Sequence, residues 1–358
     1  MKPVILRLLL TATLGLVGYL LFWPVDIDPV AWTPPPAPEL TGDYAQNNEL
    51  ARTVRLAVNG QKPEDVAFDK ESRIYTGTED GHIYRLQPDG TRPEVFAVTY
   101  GRPLGLAFDQ NGNLIVADAV KGLMLIAPDK TITVLANQAD GAPFRCTNDL
   151  DIAADGTIYF TDASRKYALS ELRADLFEHA PNGRLLAYDP KTKQTRTVLP
   201  DLHFANGVAV SPDQSFVLVN ETGTYQIKRV WLKGEKQGQS DTFIENLPGF
   251  PDGILSNGRD TFWLAIVNRR NSLLDRLLPR PFLRKVVMRL PGFLQPDIQP
   301  YAFVLGLDLN GKVVRNLQDP SPECFAQIAN VVEHKGNLYF GTIGKQNAIG
   351  RFSLAPSQ

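Results

Sequence analysis

Cysteine and histidine are scarce in this chain, two and four residues out of 358. Two thiols cannot build a disulfide scaffold or a thiolate zinc site, and four imidazoles leave few soft ligands. Any metal is therefore expected to be a hard cation held by oxygen. Positive charge is not in excess either: the formal net charge of −2 removes the electrostatic ground for nucleic acid as a partner. Against these shortages, glycine (28) and proline (27) are frequent, as in a chain of many short strands and turns. With 43% hydrophobic residues the chain can build a real core. Length alone suggests about two domains, but closed all-β folds use such lengths as one unit.

The N-terminus differs in kind. Lys2 and Arg7 precede an uncharged apolar run from Leu8 to Trp23. With Val4 to Leu6 included and Arg7 snorkelling, the segment suits a hydrocarbon layer of roughly 30 Å. Tyr19 and Trp23 fit an interfacial aromatic belt. The positive-inside rule then puts the N-terminus in the cytosol and everything after residue 24 on the other side, in a periplasm, a lumen or the extracellular space. A cleaved signal peptide is the rival reading, because the run is short and begins basic, although no small-x-small cleavage site follows it. Residues 1–24 are thus expected to be a transmembrane signal-anchor and 25–49 a proline-rich linker. Within the linker, 33–38 reads as a stiff spacer holding the domain off the bilayer.

From residue 50 to 358 one pattern recurs: a polar or turn residue, an apolar strand, a turn rich in Asp, Asn and Gly, then a second apolar strand. Its copies begin at Glu64, Leu104, Asn148, Asn206 and Asp252, with a sixth, one residue shorter, at Ala329. Further strand candidates such as 83–86, 123–126, 184–188 and 227–231 lie between the copies. Four strands per repeat at this period are the mark of propeller blades, so the expectation is an all-β, six-bladed β-propeller behind an N-terminal transmembrane helix. The last interval is longer and holds an insertion over 268–300. It carries seven Lys/Arg against Asp275 and Asp297, with leucines and valines at helical spacing broken by Pro279 and Pro281. Two readings stand for it: a surface helical excursion with a solvated basic face, or a lid over a channel mouth or a patch on anionic lipid.

In each full copy the first residue stands ten places before the apolar start of the second strand: Glu64 to Ile74, Leu104 to Leu114, Asn148 to Ile158, Asn206 to Phe216, Asp252 to Phe262. Equivalent positions in a propeller are related by rotation, so this slot points into the central channel in every blade. Glu64, Asn148, Asn206 and Asp252 bring oxygen there; Leu104 and Ala329 do not. Two carboxylates and two amides suit Ca2+, which takes six to eight oxygens, better than Mg2+, which prefers fewer protein ligands. The plain alternative is that each merely makes an Asx turn.

The segments Pro63 to Val66, Asn148 to Asp151 with Ile158 to Asp162, Phe204 to Val208, and Gly249 to Gly253 together resemble the strictosidine-synthase-like family. That family is grouped with gluconolactonases, regucalcin-type proteins and paraoxonases. The resemblance covers residues 50–355 and implies a calcium propeller with Glu64, Asn148, Asn206 and Asp252 as ligands. One departure matters. The plant synthases use a Glu in the last blade, where this chain has Ala329 or, with a gap, Ala326. Neither moves a proton, so a Pictet–Spengler condensation is not expected.

The activity expected is instead metal-assisted hydrolysis of a small-molecule ester or lactone, with Asp252 as base or nucleophile. Some calcium propellers use a histidine base, and His203 is the histidine near a slot; a hydrogen-bonded loop residue is its plainer reading. The alternative class is a non-catalytic, membrane-anchored propeller with a structural ion that binds a protein or lipid. Cys146 and Cys324 either pair or are two small buried thiols.

Overall fold

A computed structural model describes residues 2–295 and 299–355. Residues 296–298 of the insertion, Asp297 among them, and 356–358 of the domain lie outside the described residues. Six four-stranded antiparallel sheets follow one another along the chain, each built outward from its first strand. Blade 1 begins at Ala67–Phe68, blade 2 at Pro103–Phe108 and blade 3 at Thr147–Ile152. Blades 4, 5 and 6 begin at Ala205–Val210, Gly249–Ser256 and Ile328–His334. The six sequence repeats are these six blades. The second strands of blades 1 to 5 start at Ile74, Leu114, Ile158, Phe216 and Phe262, the residues that set the ten-residue spacing.

Blade 6 supplies only three strands from its own repeat. Its outer strand is Val54–Ala57, paired antiparallel with Ala348–Ser353, Val54 opposite Arg351 and Ala57 opposite Ala348. Backbone hydrogen bonds between the beginning and the end of the domain thus close the ring and remove two sheet edges.

The apolar side chains fill seams between neighbouring blades. Phe216, Leu218, Ile254, Phe262 and Phe303 fill the seam between blades 4 and 5. Tyr75, Leu106 and Val116 serve blades 1 and 2, and Tyr84, Tyr339 and Ile349 seal blade 6 against blade 1. Each blade is too thin to bury both faces alone, so the ring folds as a whole. At the strand turns, Asp carboxylates accept backbone N–H groups two residues on, as Asp109 does from Asn111 (2.9 Å) and Asp155 from Thr157 (2.9 Å). Such bonds hold the carboxyls of Asp129, Asp155 and Asp189 below the usual range, and hydroxyl bonds from Thr91 and from Ser215 and Ser211 do so first for Asp89 and Asp213.

Helix α1 (Lys2–Phe22) precedes the propeller, and its span Val4–Phe22 is long and apolar enough to cross a membrane, with none of it buried against the protein. The linker departs from the expected free spacer. Trp32 stacks on His179, ring centroids 4.6 Å apart, and Val30 N donates to Glu178 O (2.8 Å). The carbonyls of Pro35 and Pro36 accept from Arg270 Nη2 (2.6 Å) and Asn246 Nδ2 (3.1 Å). Proline has no N–H group to satisfy, but its carbonyl remains an acceptor, and neighbouring donors hold those of Pro35 and Pro36.

The insertion forms α3 (Ser272–Leu277) and α4 (Pro281–Met288), which pack beside α2 (Leu172–Glu178) of blade 3. A wholly solvated basic face is not what results. Arg284 is completely buried and Arg289 nearly so, and backbone carbonyls of other segments accept from Nη1 and Nη2 of Arg284 and from Nε and Nη1 of Arg289. Cys146 and Cys324 are free, buried thiols in separate apolar clusters.

Candidate functional site

The first strand of a blade carries a local irregularity at its slot. Pairing with the second strand shifts register between Thr147 and Leu150, Ala205 and Val208, Pro251 and Ile254, and Ile328 and Val331. In blade 2 the shift falls between Pro103 and Gly105, and in blade 1 pairing starts only at Ala67, after Glu64 and Asp65. A bulge breaks the strict alternation of strand side chains. Two consecutive residues per blade therefore reach the channel axis instead of one.

The upper of the two tiers contains the slot residues. Beneath it a gap of about 10 Å3, room for one water-sized sphere, is bordered by all six slot residues. Above it the channel opens into a mouth of about 480 Å3 lined in part by Lys62, Arg102, Leu172 and Phe204. Glu64, Asn148, Asn206 and Asp252 border both spaces, whereas Leu104 and Ala329 border only the lower one. The four oxygen-bearing side chains picked out by the repeat thus form the floor of the mouth.

Their electrostatics are tense. Arg102 Nη2 donates to Glu64 Oε2 at 2.5 Å, yet burial outweighs that guanidinium and holds the Glu64 carboxyl above its ordinary range. Burial, then the charge of Glu64, pushes Asp252 well above its own range, and a hydrogen bond from Asn206 offsets only part of this. Two buried acids that resist ionisation side by side mark a place short of positive charge. Among the described residues no three His, Cys, Asp or Glu side chains converge as a ligand set. Half of this quartet's donors are amides, and an all-oxygen donor set of this charge fits a hard divalent cation.

The amide of Asn206 is oriented by its neighbours. Thr222 Oγ1 spends its single proton on Pro251 O (2.7 Å), an acceptor only, so towards Asn206 it must accept. Asn206 therefore presents Nδ2 to Thr222 at 3.1 Å and keeps its carbonyl oxygen free for a cation. Thr222→Val is expected to release the amide and, if the quartet holds a divalent cation, to weaken its binding about 10- to 100-fold in a calorimetric titration with calcium, with the fold unchanged. An unaltered affinity would refute this orienting role.

The lower tier was not visible in the repeat. It holds, from blade 1 to blade 6, Asp65, Gly105, Asp149, Gly207, Gly253 and Asn330. Asp65 accepts from Val66 N, Leu106 N and Asn330 Nδ2, all at 2.7 Å, tying blade 1 to blades 2 and 6. Asp149 accepts from Leu150 N (2.9 Å) and Val208 N (3.1 Å), tying blade 3 to blade 4. The glycines make room: a Cβ on Gly253 would lie 2.5 Å from Asn330 Oδ1, and one on Gly207 2.4 Å from Asp252 O. Burial pushes Asp65 up to about 7 and Asp149 well above the carboxylate range. The signal available in the sequence was that the residue after each slot is always Asp, Asn or Gly.

His203 does not join the site. Its Nδ1 lies 3.4 Å from Glu221 Oε1, its ring faces His179 at 4.9 Å, and it borders neither channel space. The reason is local: Phe204 takes a left-handed backbone (φ 61°), which turns its own ring into the mouth while residue 203 lies beside Glu221.

Comparison with known proteins agrees with this architecture. The strictosidine synthase family model matches residues 148–235, and the strictosidine synthase-like N-terminal model matches 42–86. Rat adipocyte plasma membrane-associated protein is 33% identical over 375 residues, covering 98% of each chain. Strictosidine synthase-like protein 7 of Arabidopsis thaliana is 36% identical over 294 residues, 80% of this chain and 78% of its own. Among solved structures, a gluconolactonase from Xanthomonas campestris superposes with a TM-score of 0.62 at 16% identity, over 92% of this chain and 99% of its own. A calcium-binding regucalcin from Agrobacterium tumefaciens gives 0.57 at 14%, over 83% and 92%. These structures share the fold; the sequence relatives show more, and the chain belongs to the strictosidine synthase-like family of six-bladed propellers.

Proposed function

We propose that this protein is a calcium-dependent hydrolase of esters or lactones, anchored by α1 with the propeller on the non-cytosolic side. The observation that carries the reading is the quartet itself: Glu64, Asn148, Asn206 and Asp252 alone among the slot residues border both the inner gap and the open mouth. A purely structural ion needs no such access, so the 480 Å3 mouth favours an enzyme over a scaffold. The gluconolactonase and calcium-binding neighbours support the same direction, and the plasma-membrane relative supports the anchor. The replacement of a last-blade Glu by Ala329 stands against an amine–aldehyde condensation.

Calcium, when bound, supplies a Lewis acid for the carbonyl oxygen of the substrate. Asp252, at the floor of the mouth, orients a water and takes its proton as the oxygen adds to the carbonyl carbon; it then gives that proton to the leaving oxygen as the acyl C–O bond breaks, and is again a carboxylate. Asn148 and Asn206 hold neutral oxygens toward the axis without adding charge. Arg102 fixes the Glu64 carboxylate. Leu169, Leu172 and Phe204 give the mouth an apolar wall for the acyl or alkyl part of the substrate.

Calcium and protons compete here, and the sign follows. Because Asp65 is held up to about 7 and Asp252 well above its free value, the folded chain keeps protons that the unfolded chain releases from about pH 4 upward. Without a cation, stability therefore falls as pH rises through that window. Calcium removes the penalty, so its effect on the melting temperature is expected to be larger at pH 8 than at pH 5. Turnover of aryl esters and lactones, measured with calcium and with chelator, tests the reading. Loss with chelator and recovery with calcium support it; equal turnover in both, or no calcium-dependent melting shift, contradicts it.

A further inference from the structure

The end of the anchor helix is clamped to the insertion. Arg289 donates from Nε to Trp23 O (2.6 Å) and from Nη1 to Leu20 O (2.8 Å), placing a cation on the open carbonyls at the C-terminus of α1. Tyr19 Oη donates back to Arg289 O (3.1 Å). No residue of α1 from Val4 to Phe22 is buried, and those from Val4 to Val17 are exposed, so lipid is the medium that fits it, with Tyr19 and Trp23 at the boundary. Whatever is fixed beside residue 289 then lies at the level of the lipid headgroups.

The insertion exposes what such a level favours. Phe293 is 84% exposed, Leu294 58% and Phe282 55%, with Leu283 beside Phe282 on α4. Exposed Arg276 and Arg280 stand among them. On the same end of the propeller Tyr100 is 83% exposed, in the connection from blade 1 to blade 2. The catalytic mouth opens at this end as well: Leu169, Ser170 and Leu172, at the start of α2, line it, and the far end of α2 accepts Arg284 of α4. A continuous chain of contacts therefore runs from anchor to α4 to α2 to the mouth.

We propose that the insertion is an interfacial docking surface, its Phe282, Leu283, Phe293 and Leu294 seated in the same leaflet as the end of α1, and that the mouth takes amphiphilic esters or lactones from that bilayer. The docking half stands on the contacts above. The substrate half rests on the hydrolase reading and names its substrate class: a polar ester or lactone head that reaches the quartet, carried on an alkyl chain that partitions into lipid. A helix with apolar residues on one side and arginines beside them lies in the interface plane by this physics, and anionic headgroups complement the arginines.

The full chain in phosphatidylcholine–phosphatidylglycerol vesicles tests both halves. An environment-sensitive fluorophore is attached at Phe293→Cys, at Phe282→Cys, and at Asn111→Cys in a turn at the opposite end of the propeller; Cys146 and Cys324 are buried, and the unsubstituted chain sets the labelling background. The two insertion probes are expected to shift to the blue and to be quenched several-fold by nitroxide-bearing lipid, and the Asn111→Cys probe is not. No quenching overturns docking, and a blue shift without lipid quenching overturns it in favour of a second copy of the chain as the cover. A long-chain lactone carried in the vesicles is then compared with a short, water-soluble one. The combined Phe282→Ser, Phe293→Ser and Leu294→Ser variant is expected to lose about tenfold in kcat/KM on the former alone. Equal change on both substrates overturns the substrate class. Hydrolysis of neither by the unsubstituted chain overturns the hydrolase reading and the substrate half with it, leaving the quenching result to decide docking.

Discussion

Asp252→Asn is expected to lower lactone or ester hydrolysis by at least about 1,000-fold, which corresponds to roughly 4 kcal/mol of transition-state stabilisation. It is also expected to leave the metal-free protein as stable as before, or more stable. The two outcomes have one cause. The Asp252 side chain is buried next to Glu64 and resists ionisation, so an amide of the same shape relieves repulsion in the metal-free state. Its backbone carbonyl, which accepts from Asn220 Nδ2 and so ties blade 5 to blade 4, is untouched. What is lost is the proton acceptor and one of two charges that balance the cation, so calcium should no longer raise the melting temperature. Activity within tenfold of the parent would show that Asp252 neither binds the ion nor accepts the proton.

Arg284→Ala is expected to free the linker from the propeller while leaving the blades intact, at a local cost of about 3–5 kcal/mol. Arg284 carries no exposed surface and donates to Phe177 O (2.8 Å), Glu178 O (3.2 Å) and Val30 O. Burial lowers its pKa only to about 10, so it remains a cation at neutral pH. The last carbonyls of α2 provide the compensating negative potential. Truncation takes the donor from Phe177 O and Val30 O, and one of two donors from Glu178 O, at the point where α2, α4 and the linker meet. Hydrogen exchange at Val30 and Trp32, whose N–H groups donate to Glu178 O and Leu278 O, reads the effect directly. Protection at both should collapse while that at Val217 and Val219, inside blade 4, persists. Unchanged protection at Val30 would mean that the linker is held by its other contacts, Trp32 on His179 among them. Loss of this clamp should also unfix the mouth from the membrane without touching the quartet.

Much of the architecture was written in one-dimensional spacing. Blade number and the channel-facing slot follow from a repeat whose turn chemistry and apolar strand starts keep a fixed distance, and rotation then converts equal position into common location. The order of closure was less legible: a strand at 54–57 that completes the last blade pairs across nearly the whole chain, and only the shortage of strands after Thr342 hints at it. Strand alternation places the residue after each slot off the axis; bulges bring Asp149 and Asn330 to the channel, and in blade 1 Asp65 precedes the paired strand, and both are properties of pairing that a single strand does not reveal. His203 was misplaced for a related reason, since one left-handed residue at Phe204 redirects its neighbour. The linker and the insertion misled differently. Proline content implies stiffness but says nothing about what lies alongside, and a basic residue at the helix surface is indistinguishable in sequence from Arg284, whose partners come from residues 30, 177 and 178.

A crystal structure grown with calcium is the most direct measurement. It should show one ion on the propeller axis at the floor of the mouth, with oxygens of Glu64, Asn148, Asn206 and Asp252 at about 2.3–2.6 Å and at least one further position held by water. An axis bearing only water between these side chains, with calcium bound elsewhere or not at all, would contradict the account.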